Sequence, residues 1–352
     1  MPDDTPQTGK AWPFVMNWTG RISALIGLSA SILGGVTWLV THHRHKVEHQ
    51  AQIAQAQSAS AQGQYPAALQ IYADLLKSDP LDPDALNGQL TTTELWVENF
   101  SAPDRAAAAP ALDQLMAILT AGLTRTHGSQ NAGVQAHLGW AHWLNQRIAA
   151  REFGTDAERN LRAALAADPH NVYANAMLGN WSLQNGGSLP DAVQLFNTAV
   201  ATGQAQPFVR ELQLAGLTGR EAPGARSAAF SAANQMRIAG EPIDPDTRRR
   251  LATFCCDPTL NDHSQLVESL ASVPASDAWA TCLWLDGPPS DADAAQSQAL
   301  HHAFIQANLA EITGQKQAAL VQYRQLQQQL ARQPGSLLDA VNAAIARLSA
   351  AH

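Results

Sequence analysis

The chain is poor in the features that announce most chemistries. Aromatic residues are 6% of its 352 residues and charged residues 15%. Lysine and arginine form no long block. The densest run is Arg248-Arg249-Arg250, which reads as a solvated helix face, and the formal net charge is −8. That balance excludes a general nucleic-acid affinity. There are three cysteines, Cys255, Cys256 and Cys282, and no CxxC. A zinc ribbon and a thioredoxin-like motif are therefore excluded. Neighbouring Cα atoms sit about 3.8 Å apart, too close for an ordinary disulfide between Cys255 and Cys256. Either can pair with Cys282 in an oxidising compartment, or all three can be buried apolar thiols. No strand-like alternation of convincing length occurs. GxGxxG, the P-loop, G-x-S-x-G and HExxH are all missing.

What is present is alanine, leucine and glutamine, a helix-forming mixture within 45% apolar residues. Residues 22–40, "ISALIGLSASILGGVTWLV", form a nineteen-residue run that is uncharged and apolar. As a helix it spans about 28 Å, close to the hydrocarbon thickness of a bilayer. Arg21 precedes it, Arg44 and Lys46 follow, and Trp18 and Trp38 lie near its ends, as interfacial indoles do. No small-x-small cleavage site follows, so an uncleaved transmembrane anchor is expected rather than a signal peptide. Lys10 and Arg21 before the span balance Arg44 and Lys46 after it. The short leading tail then favours a C-terminal domain outside the cytoplasm, as in a bacterial inner-membrane protein with a periplasmic domain. Ser23, Gly27, Ser31 and Gly35 recur every four residues and put small side chains on one face. Close packing against another membrane helix would use that face. His42, His45 and His49 share a helical face beyond the span, but a wet interfacial segment explains them better than a metal site.

The soluble part carries a recurring pattern. "GQYPAALQIYADLLKSDP" places Gly63, Ala68, Tyr72 and Leu75 in the frame G-x4-A-x3-Y-x2-L. Gly187, Ala192, Phe196 and Ala199 repeat the frame, as do Gly314, Ala319, Tyr323 and Leu326. A copy without the glycine has Ala157, Leu161 and Ala164, then Pro169. Each residue type has a packing reason. Glycine ends the first helix of a hairpin with a positive φ. The alanine lets the paired helix approach, and the larger residues fill the space between successive hairpins. Asp-Pro stops the second helix. A hairpin of this kind cannot bury its apolar face alone, so copies stack.

This pattern resembles the tetratricopeptide repeat (TPR) family. Leu138-Gly139 and Leu178-Gly179 match the Leu-Gly of the family's first helix. The match covers about 51–80, 132–203 and 300–334. The first copy lacks Leu-Gly, the second has an insertion around "IAAREFG", and the copies are not contiguous. The resemblance implies an all-α fold, a TPR-like solenoid of helical hairpins behind one N-terminal transmembrane helix. The expected organisation is a tail at 1–21, the membrane helix at 22–40 and a juxtamembrane segment at 41–50. Helical repeats follow at 51–220, an irregular helical region at 221–299, and a last hairpin with an end helix at 300–350.

The resemblance also implies a non-catalytic role in which first helices line a groove for a protein partner. By spacing, Trp140, Asn180, Gln184, Asn308 and Glu311 become the groove candidates. The positions of the family's carboxylate clamp hold Ile53, Ala136, Ala176 and Phe304, so that clamp is not expected. His137 and His142 read as packing or surface residues without a nearby carboxylate, and His301-His302 and Asp291/Asp293 form no constellation. No metal, cofactor or nucleic acid is expected. The partners expected are a protein in the groove and the bilayer around 22–40, with association through the membrane helix. The role is that of an adaptor or assembly factor at a membrane, or alternatively of a permanent accessory subunit of a membrane complex.

Overall fold

The computed structural model describes residues 43–350, except 45, 103, 150–154, 202–205, 220–221 and 332–334. The 22–40 segment, with Ser23, Gly27, Ser31 and Gly35, lies outside the described residues. The described residues are helical and contain no strand. The chain divides into two compact units, one up to Trp96 and one from Val97 onward. That division falls inside the stretch that the sequence reads as one repeat array.

The first unit contains α1 (46–61), α2 (Tyr65–Ser78) and most of α3 (Pro83–Glu98). Gly63 turns the chain between α1 and α2 at φ 73°, a conformation that costs glycine little. Ala56 of α1, Ala68, Tyr72 and Leu75 of α2, and Ala85 of α3 form one buried cluster. Tyr72 lies so close to Gly88 of α3 that a Cβ there would meet its ring at 2.4 Å. Glycine at 88 is thus a packing requirement. Asp82 caps α3, accepting from the backbone N–H of Asp84 and Ala85, and also pairs with His49 of α1. Burial opposes ionisation of Asp82, but His49 and those amides hold its carboxyl below the usual range.

In the second unit come α4 (Arg105–Leu123), α5 (Gly128–Ile148), α6 (Asp156–Ala167), α7 (Val172–Gln184), α8 (Leu189–Val200) and α9 (Pro207–Thr218). They are followed by α10 (Ala225–Ala239), α11 (Pro245–Cys255), α12 (His263–Leu270), α13 (Ala275–Asp286), α14 (Ala292–Ile312), α15 (Lys316–Leu330) and α16 (Ser336–Ala350). Sequence neighbours pack as hairpins, α5 on α6, α7 on α8 and α14 on α15. Alternate helices also touch, so that α5, α7, α9, α11 and α13 form one row. Helices α10, α12 and α14 form a second row. The repeat hairpins open on α5 and α7 but then on the even-numbered α14, so the alternation slips by one helix. Short helices α11 to α13 occupy the slip. A disulfide there joins Cys256, the C-cap of α11, to Cys282 of α13, with Cα atoms 5.9 Å apart. Cys255 beside it is buried and unbridged, and burial pushes its thiol up to about 12.

The small-and-large pattern does in space what the sequence expects. A Cβ on Gly139 of α5 would meet the Leu161 side chain at 2.9 Å and the Ala157 carbonyl at 3.0 Å. One on Gly179 of α7 would meet Phe196 at 3.1 Å and the Ala192 carbonyl at 3.3 Å. Two copies of the same contact, on different helices, are the physical content of the repeat. Ala56 and Ala307 stand where the other two copies need the small residue, twelve positions before Ala68 and Ala319, and both are fully buried. One detail differs from expectation. The positive φ between α7 and α8 belongs to Gly186 (82°), not Gly187, so this turn is one residue longer than those at Gly63 and Gly314.

Helix α4 is long and apolar enough to cross a membrane by length and composition alone. Its Leu112, Leu115 and Leu119 are fully buried, and it packs on α5, as a core helix does.

Candidate functional site

The repeat frame gives each first helix one residue, next to the small one, that should face the partner. These are Gln57 after Ala56, Trp140 after Gly139, Asn180 after Gly179, and Asn308 after Ala307. The structure gives equivalent positions opposite fates.

In the second unit they are inside. Trp140 is 6% exposed, and its ring meets Phe208 of α9 edge-on at 6.2 Å. Asn180 is 4% exposed and donates from Nδ2 to the Leu212 carbonyl of α9 at 2.8 Å. Gly216 of α9 makes room for it, since a Cβ there would stand 3.2 Å from that nitrogen. Asn308 is fully buried, with Nδ2 3.5 Å from His263 Nδ1 and its Oδ1 without a partner among the described residues. Glu311 is held by Arg347 of α16 through two hydrogen bonds of 2.9 and 2.8 Å, and accepts from the Tyr323 hydroxyl at 3.3 Å. Burial pushes the Glu311 carboxyl up, yet Arg347 outweighs it and the pKa lies below the ordinary value. Gln184 is exposed but accepts from Arg147 at 2.6 Å, whose guanidinium also lies 5.4 Å from the centre of the Trp143 ring. As placed, these five side chains pack and cross-link helices. Neighbouring helices cover them wholly or in part, except Gln184, which stays exposed.

His137 is similarly engaged, and the carboxylate that its local sequence lacks comes from Glu98 at 2.9 Å. Its other ring nitrogen meets the Gly133 carbonyl at 2.8 Å, and its ring lies against Tyr173. Burial holds His142 below the usual imidazole range. His137 thus ties α5 to Glu98 and to α7, and the described residues hold no group of three metal-ligating side chains.

The first unit is different. A groove of about 570 Å³ runs between α1 and α3, with Tyr72 of α2 in its floor. Gln57 stands on the α1 wall, and Asp84, Asn87 and Thr91 on the α3 wall, all exposed. Beneath them Thr92 donates to Ser60 at 3.2 Å, and both are buried. Thr92 also hydrogen-bonds the Tyr72 hydroxyl, whose pKa burial raises. The floor is thus satisfied while the walls carry amide and hydroxyl groups unoccupied within the unit. Sequence reasoning missed these residues because α1 lacks the Leu-Gly that sets the register. The twelve-residue offset from Ala68 to Ala56 was the signal that would have found Gln57.

No protein-family model matches the chain, and no curated protein does. Among solved structures, it is similar to a crystal structure of a tetratricopeptide repeat protein from Parabacteroides merdae ATCC 43184. Identity is 11%, over 83% of this chain and 98% of that one, with a TM-score of 0.38. A superposition that loose decides neither fold nor ligand. The helical-hairpin reading therefore rests on the repeated contacts within the chain itself.

Proposed function

We propose that this chain is a membrane-anchored, TPR-like binding protein that holds another protein at the membrane through the groove of its first unit. The observation that carries this reading is the open α1–α3 groove, walled by unoccupied amide and hydroxyl groups. Such walls, which otherwise face water, offer donors and acceptors to an incoming molecule. The uncharged run at 22–40 supports the anchor, and it ends a few residues before α1. The Cys256–Cys282 disulfide supports a periplasmic location, because such bonds persist in oxidising compartments.

The test is recovery of the full-length chain from detergent-solubilised membranes, followed by native gel migration. A stoichiometric protein partner, lost on substituting Gln57 and Asn87, is expected. No partner, together with a measured enzymatic turnover, would sink the reading. Alkylation of intact cells tests the location: Cys256 and Cys282 should resist the reagent until a reductant is added.

A further inference from the structure

We infer that the α1–α3 groove takes an extended, positively charged peptide segment and rejects acidic ones. This rests on the groove reading above and adds the chemistry of the occupant.

Two observations carry it. The first concerns backbone shape. Gln57 and Asn87 each present a carboxamide, which donates and accepts, from opposite walls. A helix has already paired its backbone N–H and C=O groups, so facing carboxamides gain little from one. An extended segment presents both groups unpaired along its length, and the two amides can complete them. The Tyr72 ring fills the space beside Gly88 and closes the floor between the walls.

The second concerns charge. Among the described residues, Asp84 is the only acidic or basic one that lines the groove. It is exposed, and no lysine or arginine lines the groove to receive a carboxylate or phosphate. The surrounding unit has the same sign. Residues 43–96 contain Arg44, Lys46 and Lys77 against Glu48, Asp74, Asp79, Asp82, Asp84 and Glu94. An acidic segment would meet repulsion throughout, whereas a lysine or arginine over Asp84 would be attracted. The occupant is therefore an extended stretch with a basic side chain at the Asp84 end.

The experiment is selection of a random decapeptide display library on the full-length chain in nanodiscs. Enriched peptides should carry net positive charge. Asp84→Lys should weaken the selected peptides about threefold to fivefold, the effect of one partly exposed ion pair. It should also shift a second selection towards acidic sequences. The Gln57→Ala/Asn87→Ala double variant should weaken all selected peptides about tenfold without altering the charge preference. Peptides that depend on Gln57 and Asn87 but are neutral or acidic would overturn the charge inference and leave the groove reading standing. Peptides indifferent to both amides, or no enrichment over empty nanodiscs, would overturn both.

Discussion

Gln57 and Asn180 occupy the same place in the repeat and do opposite things. Gln57 stands on the wall of an open groove. Asn180 is buried and fastened to the Leu212 carbonyl. The difference lies in what packs alongside. In the second unit α5, α7 and α9 touch, and their side chains fill the face that they share. In the first, α1 and α3 leave a gap floored by Tyr72. A repeat position thus fixes the direction of a side chain, and the neighbouring helix decides whether that side chain is covered or left open.

The largest effects should come from the packing residues common to both units. Phe196→Ala and Tyr72→Ala each remove a buried ring and should cost about 3–5 kcal/mol in the unit concerned. Hydrogen exchange should show the loss in α7 to α9 for Phe196, with peptide binding kept. For Tyr72 the loss should appear in α1 to α3, with binding gone. The disulfide comes next. Its 26-residue separation suggests about 3 kcal/mol on reduction. Denaturant titration with and without reductant should show that loss, and the groove should still bind.

The matched pair sharpens the contrast. Asn180→Ala removes the buried hydrogen bond to the Leu212 carbonyl and should cost about 1 kcal/mol. Gln57→Ala should stay within about 0.5 kcal/mol in the same melts, because it breaks no internal contact. Equal costs would erase the distinction.

Acid gives the smallest and most graded effect. His142 and His263 both have depressed folded pKa values, for which burial is the leading cause. Their stability contributions are complete above about 6.5 and fall away as pH drops below it. Helix-capping Asp244 and Asp262 are also depressed, the first by Thr247 and the second by Ser264 with the Gln265 amide. Their contributions are complete above about 3.8 and disappear on further acidification. In the first unit Asp82 follows the same sign and contributes only to this later step. Exchange measured between pH 7 and 5 should therefore loosen the second unit before the first.

Much of the hairpin packing was legible because it depends on residue size at fixed spacing. Ala157 with Leu161 and Ala192 with Phe196 meet Gly139 and Gly179 as their spacing implies. The slip at α11 to α13 was not legible, because short helices held by a disulfide and by caps such as Asp244 and Asp262 obey no repeat frame. The site was least legible. Asn, Gln and Trp look alike as groove residues in a sequence, and only the packing of the next helix separates Gln57 from Trp140, Asn180 and Asn308.

The most direct measurement is site-specific photo-crosslinking in living cells, with a benzophenone amino acid at Thr91 in one strain and at Gln184 in another. Both positions are exposed, but only Thr91 lines the open groove. The account predicts a discrete crosslinked protein from position 91 and none from 184. A partner captured at 184 and absent at 91 would contradict it.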